Sequence, residues 1–520
     1  MKLSKSDRRA LDKRKQEQSK HLGRSFGGSS DRPVIVGGNV RYEVAEKASA
    51  INCGGVGVIC QLMDRVGLKR VINEKLRVLK RHLPYHESDH VLAMACNVLC
   101  GGSRLEDLEQ MRRNVTLLNA LGADRVPDPT TAGDFTRRFT EKDVLTLMEA
   151  FNQVRSAVWD LHRDLTRCKS RAGSKGAVGL ACFAEAVLDV DGTIAETTGE
   201  CKEGMGLSYK GSWGYGPLLI SLANTREPLF LVNRPGNAAS QSDAPIWLER
   251  AIELMQPRSK RVCLRGDSAF SLTGEFDGWS ARGIDFVFGY DAHKCLIAQA
   301  DALPEEAWVE LERPAKYTVA TAPRQRPERA KEEFVRAHGY RSMRLEGEQV
   351  AEFPYCPTKC GRDYRVIALR KTIKVEQAGQ LFYEVRYFFY ITNRTDLSAT
   401  EVVYFINDRC DQENVIEQMK NGVHAMNMPA GDLVSNWAYM VTAALAWSLK
   451  AWYGLLMPNR QLGAEVVKME FRRFLQEFIM IPCQIVCSGR RLTYRILGYN
   501  RYIVDWLALS NLLRDLPLRT

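Results

Sequence analysis

Between Ala186 and Tyr290 the chain changes texture in a fixed order: three short runs, AVLDVDGT, GPLLISLAN and PLFLVN, then APIWLERAIELMQ, then RVCLRGDSAF and DFVFGY. Runs rich in β-branched and aromatic residues and bounded by Gly, Pro or Asn read as strands, whereas APIWLERAIELMQ carries its apolar residues at helical spacing. Strands followed by helix, strand, helix and strand describe a mixed α/β sheet that opens as a hairpin-type meander. The whole chain has 520 residues, too many for one ordinary core, so about two to four structural units are expected.

The flanks differ from this sheet. From about Val40 to Leu165, VGVICQLMDRVGL, HVLAMACNVLCGG and EKDVLTLMEAFNQVRSAVWDL repeat apolar residues every three or four positions, a helical pattern. Within it PDPTTAGDFTRRF has turn-forming prolines, Thr131 as an N-cap, and Arg137 and Arg138 on one short helix, either a DNA-reading helix or a plain surface one. Residues 291–396 are β-rich around a charged middle, with YTVATA, YRVIALRK and LFYEVRYFFYITN as strands, and read as an insertion. Inside it residues 313–344 hold nine Lys or Arg against three acids, suited to a phosphate backbone or to a solvated loop. Ser398 and Glu401 form a capping box where helical texture returns. The expected units are a basic flexible arm (1–32), a helical DNA-binding domain (33–176), the first part of the core (177–291), the β-rich insertion (292–396), closing helices (397–460) and a basic C-terminal region (461–520).

Composition narrows the class. With 45% hydrophobic residues, 9 Trp and 19 Phe the chain is globular, not disordered. Lys and Arg outnumber Asp and Glu by 73 to 62, a net charge of +11 that suits a polyanion. The start carries no apolar secretory stretch, and the longest apolar run, Trp437 to Leu449, stops at Lys450, so neither export nor membrane spanning is expected. Fourteen Cys without a framework spacing read as reduced, mostly buried thiols of a cytoplasmic protein.

Chemistry concentrates in three strings. In LDVDGT, strand alternation places Asp189 and Asp191 on one face, one pleat apart. A carboxylate pair there begins either a haloacid-dehalogenase-like phosphatase or an RNase-H-like metal nuclease; a capped turn is the bland alternative. In RGDSAF, Asp267 follows a strand and precedes a helix, but no further Asp follows as the phosphatase pattern requires. A two-metal nuclease instead needs carboxylates on the first and fourth strands, where Asp191 and Asp267 fall, holding two Mg²⁺ about 3.5 to 4 Å apart. The third acid is sought in NDRCDQENVIEQMKNG, where, on a continuous helix, Glu413 lies about 40° and Lys420 about 20° round from Arg409. An exposed salt-bridged face gives the same spacing.

The order Arg409, Glu413, Lys420 resembles the Y-R-E-K signature of bacterial insertion-sequence transposases with a DDE triad, except that the signature's Tyr falls at Ile406. LDVDGT and RGDSAF look like the two Asp motifs of that family, and DGWSARGIDFVFGY and PDPTTAGDF resemble further strings of it, so the likeness covers most of residues 40–500. The resemblance implies an α/β fold with an RNase-H-like core interrupted by a β-rich insertion, behind an N-terminal helical DNA-binding region. It implies Asp191, Asp267 and Glu413 as catalytic metal ligands for two Mg²⁺, with Mn²⁺ able to substitute, and Arg409 and Lys420 as phosphate contacts. Arg137 and Arg138 are the expected DNA contacts of the helical region. The implied partners are transposon-end DNA, target DNA and a second copy of the chain in a synaptic complex, and the implied place is the nucleoid of the cytoplasm. The rivals are a phosphatase with Asp189 as nucleophile and a non-catalytic DNA-binding relative.

Other features carry less. CPTKC and Cys483 with Cys487 lack the second pair of a zinc module and read as buried thiols. GMGLSYKGSWGYG lacks the end of a phosphate loop and reads as hairpin turns. His82, His86 and His90 share four-residue steps, but Pro84 interrupts that helix, so they read as surface positions.

Overall fold

LLISL and EPLFLV have every residue buried, the mark of strands covered on both faces. A computed structural model places them side by side as the last two strands at one end of the chain's largest sheet; it describes residues 4–23, 41–44, 49–82, 84–170, 182–199, 201–208, 211–313, 342–377, 380–488 and 491–517. In chain order the strands are β1 (Ala50–Ile51), β2 (Phe183–Gly192), β3 (Ala195–Glu196), β4 (Gly206–Leu207), β5 (Trp213–Tyr215), β6 (Leu218–Leu222), β7 (Glu227–Val232), β8 (Ser259–Gly266), β9 (Asp285–Tyr290), β10 (Val309–Glu310), β11 (Ser342–Tyr355), β12 (Tyr364–Gln377), β13 (Gln380–Thr392), β14 (Cys483–Ser488) and β15 (Arg491–Ile496).

Nine of them form one sheet in the order β10-β11-β12-β13-β9-β8-β2-β6-β7. The meander expected from the sequence is present: β2 pairs antiparallel with β6, and β6 with β7. On the other side β2 runs parallel to β8 and β8 parallel to β9. GMGLSYKGSWGYG contributes β4 and β5 to a small separate sheet with β3, as its turn-rich composition suggests.

The insertion is not a separate layer. β13 pairs antiparallel with β9, Phe389 opposite Tyr290, so β11 to β13 lengthen the core sheet. β11 was not legible as a strand, because SMRLEGEQVAEFPY interrupts its apolar alternation with charge and glycine. YTVATA and most of the basic block 313–344 lie outside the described residues, as do Gly27 to Ser30 of the N-terminal joint. Residues of the arm, Lys5–Leu22, form a helix that buries no residue and is tied down where Arg14 donates to the Ile496 carbonyl at 2.8 Å.

The run around Trp437 lies in the helix Leu433–Leu456, apolar on all sides and buried over nearly its whole length. Such a helix belongs in the centre of a large protein. Among the described residues no helix is long and apolar enough to cross a membrane. It packs on the Glu141–Ser170 and Glu87–Leu99 helices and on β7. At that junction Glu227, fully buried, accepts from Arg155 Nε at 2.9 Å, Trp159 Nε1 at 2.9 Å and Trp452 Nε1 at 2.6 Å. The C-terminal region is structurally part of the N-terminal one: β14 pairs with β1, and Ser510 on the Ile503–Asp515 helix donates to Gln61 at 2.8 Å.

Two expectations need correction. The Pro129–Thr136 helix is capped by Asp128, which accepts from the Thr131 amide at 2.9 Å, because Pro129 takes the first helical position and Thr131 already lies inside the helix. The thiols are not mostly buried: Cys201, Cys295, Cys356, Cys410 and Cys487 are exposed against buried Cys53, Cys96, Cys263 and Cys483, although every described one is free.

Candidate active site

Parallel pairing of β2 with β8 sets Val190 opposite Gly266, so Asp191 and Asp267 follow side by side at the same end of the sheet. Close packing requires glycine here: a Cβ on Gly266 would meet Val190 Cγ1 at 2.9 Å, and one on Gly289 of β9 would meet the Ser268 amide at 2.8 Å. Asp267 leads into a short 3-10 turn, Ser268–Phe270, where an α-helix was expected, and its carboxylate accepts from the Ala269 amide at 3.0 Å. Asp191 accepts from its neighbour's amide, Gly192 N–H, at 2.8 Å.

Glu413 arrives from the other half of the chain. The Ala399–Asn407 helix, opened by the Ser398 and Glu401 capping box, ends at Asp408, and a new helix, Cys410–Glu417, begins with Arg409 as its N-cap. Buried Gln412 locks that helix to the sheet, donating to the Leu219 carbonyl at 3.2 Å and pairing with Ser221. Asp411 adds an ion pair to Arg226 at 2.6 Å. Glu413 is thereby turned outward, and Arg409 bridges the two halves, 3.0 Å from Asp191 Oδ2 and 3.2 Å from Glu413 Oε1.

Burial pushes the Asp191 carboxyl up to about 6; the charges of Asp267 and Glu413 act in the same direction, and Arg409 and the Gly192 amide oppose them. A divalent cation relieves this kind of crowding, and three carboxylates are the hard oxygen donors that Mg²⁺ or Mn²⁺ prefer. The donor set fits such an ion, with the Arg409 guanidinium standing as the cation between two of the acids. The three do not form a closed cage, since the only His, Cys, Asp or Glu trio among the described residues with ligand atoms all within 4.8 Å lies elsewhere.

Asp189 corrects the phosphatase reading. It shares a face with Asp191 as alternation requires, but it is 1% exposed and held by Arg265 through two contacts of 2.6 and 2.9 Å. Arg265 also donates to the Phe405 carbonyl at 2.6 Å, so the pair is sealed beneath the Ala399–Asn407 helix. Buried and paired in this way, Asp189 is closed to a substrate.

Two cavities flank the acids. One of about 470 Å³ is lined by Gly192, Thr193, Arg234, Ser240, Lys420 and Asn421. The other, about 400 Å³, is lined by Asp267, Tyr290, Phe388, Tyr390, Ile406 and Arg409 among others. Gln418–Gly422 widens into a π-turn, and Lys420 lines the first cavity while Arg409 lines the second. Glu417 is exposed and accepts from Asn421 at 2.6 Å, away from Arg409. Ile406, in the place of the signature's Tyr, packs into the core at 5% exposure.

Sequence reading missed Arg234, which is 5% exposed and whose only local cue was the Arg-Pro-Gly string at a strand end. It also missed the Asp189–Arg265 pair. Arg137 and Arg138 are exposed just after the Pro129–Thr136 helix, Arg137 paired with Asp134, and neither is brought to the acids by any described contact.

No curated protein matches the chain. Among solved structures, a cryo-EM structure of a piggyBac transposase synaptic complex with hairpin DNA is similar at 10% identity over 82% of this chain and 84% of that one, with a TM-score of 0.30. The family described as Transposase DDE domain group 1 matches residues 48–502. That span takes in every strand from β1 to β15, and the chain belongs to the Transposase DDE domain group 1 family.

Proposed function

We infer that this transposase cuts DNA at the inverted-repeat ends of a mobile element and joins the freed 3′-OH to target DNA, with Asp191, Asp267 and Glu413 as its catalytic acids. The observation that carries the reading is the Arg409 bridge, which ties Asp191 at a strand end to Glu413 on a distant helix while Asp267 adjoins them. Strand connectivity supports an RNase-H-like core: the meander β2, β6, β7 followed by parallel β8 and β9 gives the spatial order β7-β6-β2-β8-β9.

Asp191, Asp267 and Glu413 would hold Mg²⁺ or Mn²⁺, most simply as a pair, and such ions activate an attacking oxygen and stabilise a leaving one. Water attacks a backbone phosphorus and the P–O3′ bond breaks, leaving a 3′-OH and a 5′-phosphate; that 3′-OH then attacks a target phosphorus and displaces its 3′ oxygen. The protein's own work is positional. Arg409 exchanges its carboxylate partners for a phosphate as DNA enters, and Lys420 and Arg234 offer positive charge on the first cavity's wall. The second cavity presents Tyr290, Phe388 and Tyr390 to bases or sugars.

A second copy of the chain is proposed for the second element end. The decisive experiment is Mg²⁺-dependent nicking of the element's own end DNA by D191N, D267N and E413Q. Each is expected to lose about 10²- to 10³-fold or more in rate while still binding DNA. Wild-type-like nicking by any one of them would remove that residue from the triad.

A further inference from the structure

The connection between the Leu68–Lys75 and Glu87–Leu99 helices gathers a set of ligands unlike the acid centre. Pro84 prevents His82, His86 and His90 from forming one helical stripe, and they part company: His90 turns into the core and stacks on Phe135 with centroids 4.3 Å apart. His82 and His86 instead stack on each other, centroids 5.3 Å apart and planes 14° apart. Glu87 joins them, and one ligand atom from each of the three lies within 4.8 Å of the others.

Glu87 is no ordinary surface acid. Its side chain is 0% exposed, Oε1 accepts from the Leu79 amide at 3.2 Å, and Oε2 is buried without a hydrogen-bond partner, 3.2 Å from His82 Nδ1. A buried carboxylate oxygen left without a donor is costly unless a cation neutralises it. The surrounding backbone is already fixed: the Ser88 amide donates to Asn73 at 2.9 Å and the His86 amide to Asp89 at 2.8 Å. The helix N-terminus repels a cation, but Glu87 and Asp89 place two acids in its first turn and offset that field.

The geometry points to a transition-metal site at His82, His86 and Glu87, built for Zn²⁺ and distinct from the carboxylate centre. Two imidazoles and one carboxylate suit Zn²⁺, whereas Mg²⁺ prefers oxygen alone. Ligand atoms around a tetrahedral Zn²⁺ lie about 3.3 Å apart for bonds of about 2.0 to 2.1 Å, a closure that rotation of the two exposed imidazoles supplies. The fourth position is left to water. The bound ion would clip residues 82–87 and fix the start of the helix that carries His90 against Phe135.

Full-length protein stripped with chelator is titrated with Zn²⁺ and then with Co²⁺, followed by thermal unfolding, absorption and X-ray absorption. One tightly held ion with nitrogen and oxygen scatterers, and a raised unfolding temperature, are expected. His82→Gln with His86→Gln should weaken that ion at least about 100-fold, since two of three ligands are gone, while leaving circular dichroism unchanged. The proposal is overturned if wild type holds no Zn²⁺, if the double variant retains it equally, or if thiolate charge transfer shows that cysteines are the ligands.

Discussion

Glu413 and Glu417 sit one turn apart on an exposed helix face, yet only Glu413 meets Arg409, while Glu417 accepts from Asn421. Gln keeps the shape of Glu and removes its charge, so Glu413→Gln should abolish nicking with binding retained, and Glu417→Gln should lose little. Purified variants compared for end-DNA binding and Mg²⁺-dependent nicking decide this, and a dead Glu417 variant beside an active Glu413 variant would shift the register by a turn. Asp189 is the contrasting residue. Its role is to neutralise buried Arg265, so Asp189→Asn should destabilise the fold by about 3 to 5 kcal/mol, whereas Asp189→Asn with Arg265→Met should recover most of that. Denaturant unfolding checks both; a double variant as unstable as the single one would mean that Asp189 does more than balance a charge.

Helix packing makes a pH-dependent prediction at the level of elements. His90 joins the Glu87–Leu99 helix to Phe135 of the Pro129–Thr136 helix, and burial lowers its pKa to about 4, with Arg138 assisting and Asp89 and Glu87 opposing. The unfolded imidazole titrates near 6.5, so between about 6.5 and 4 the unfolded chain binds a proton that the folded one refuses, and stability falls as pH drops through that window. The total is about 3 kcal/mol, and His90→Gln should flatten the pH dependence of unfolding there. Elements with local signals were legible: β2, β6, β7, β8 and β9 announce themselves through apolar runs bounded by turn residues, and Ser398 with Glu401 announces a helix start. Pairings across distance were not. Nothing near Tyr390 says that β13 will join β9, and nothing near Asp189 shows that Arg265, 76 residues on, will neutralise it. The contact from Arg409 to Glu413 was legible because its spacing is local, whereas the helix start at Arg409 and the π-turn under Lys420 carry no local signal in the sequence.

The whole molecule carries a net charge of +11, but its basic residues are unequally committed. On the insertion strands Arg365, Arg370, Lys371, Lys374 and Arg386 are paired with Glu352, Glu305, Glu348, Glu346 and Glu384, so these residues add little uncompensated charge. Arg409, itself paired with Asp191 and Glu413, lines the second cavity, and Lys420 and Arg234 line the first. A paired-end complex assembled on two element ends should contain two copies of the chain, which mass photometry can count; one copy on two ends would overturn that arrangement. Binding should be dominated by phosphate contacts, because such contacts release counterions, and for roughly six to ten of them affinity falls about 10³- to 10⁵-fold between about 50 and 200 mM salt. Lys420→Ala should lower the slope of log affinity against log salt by about one unit. Arg370→Ala should leave that slope unchanged, since its guanidinium is held by Glu305 and Gln349. Fluorescence anisotropy on labelled end DNA across that salt range measures all three proteins together. A slope reduced by Arg370→Ala and untouched by Lys420→Ala would move the DNA path off the acid centre and onto the insertion strands.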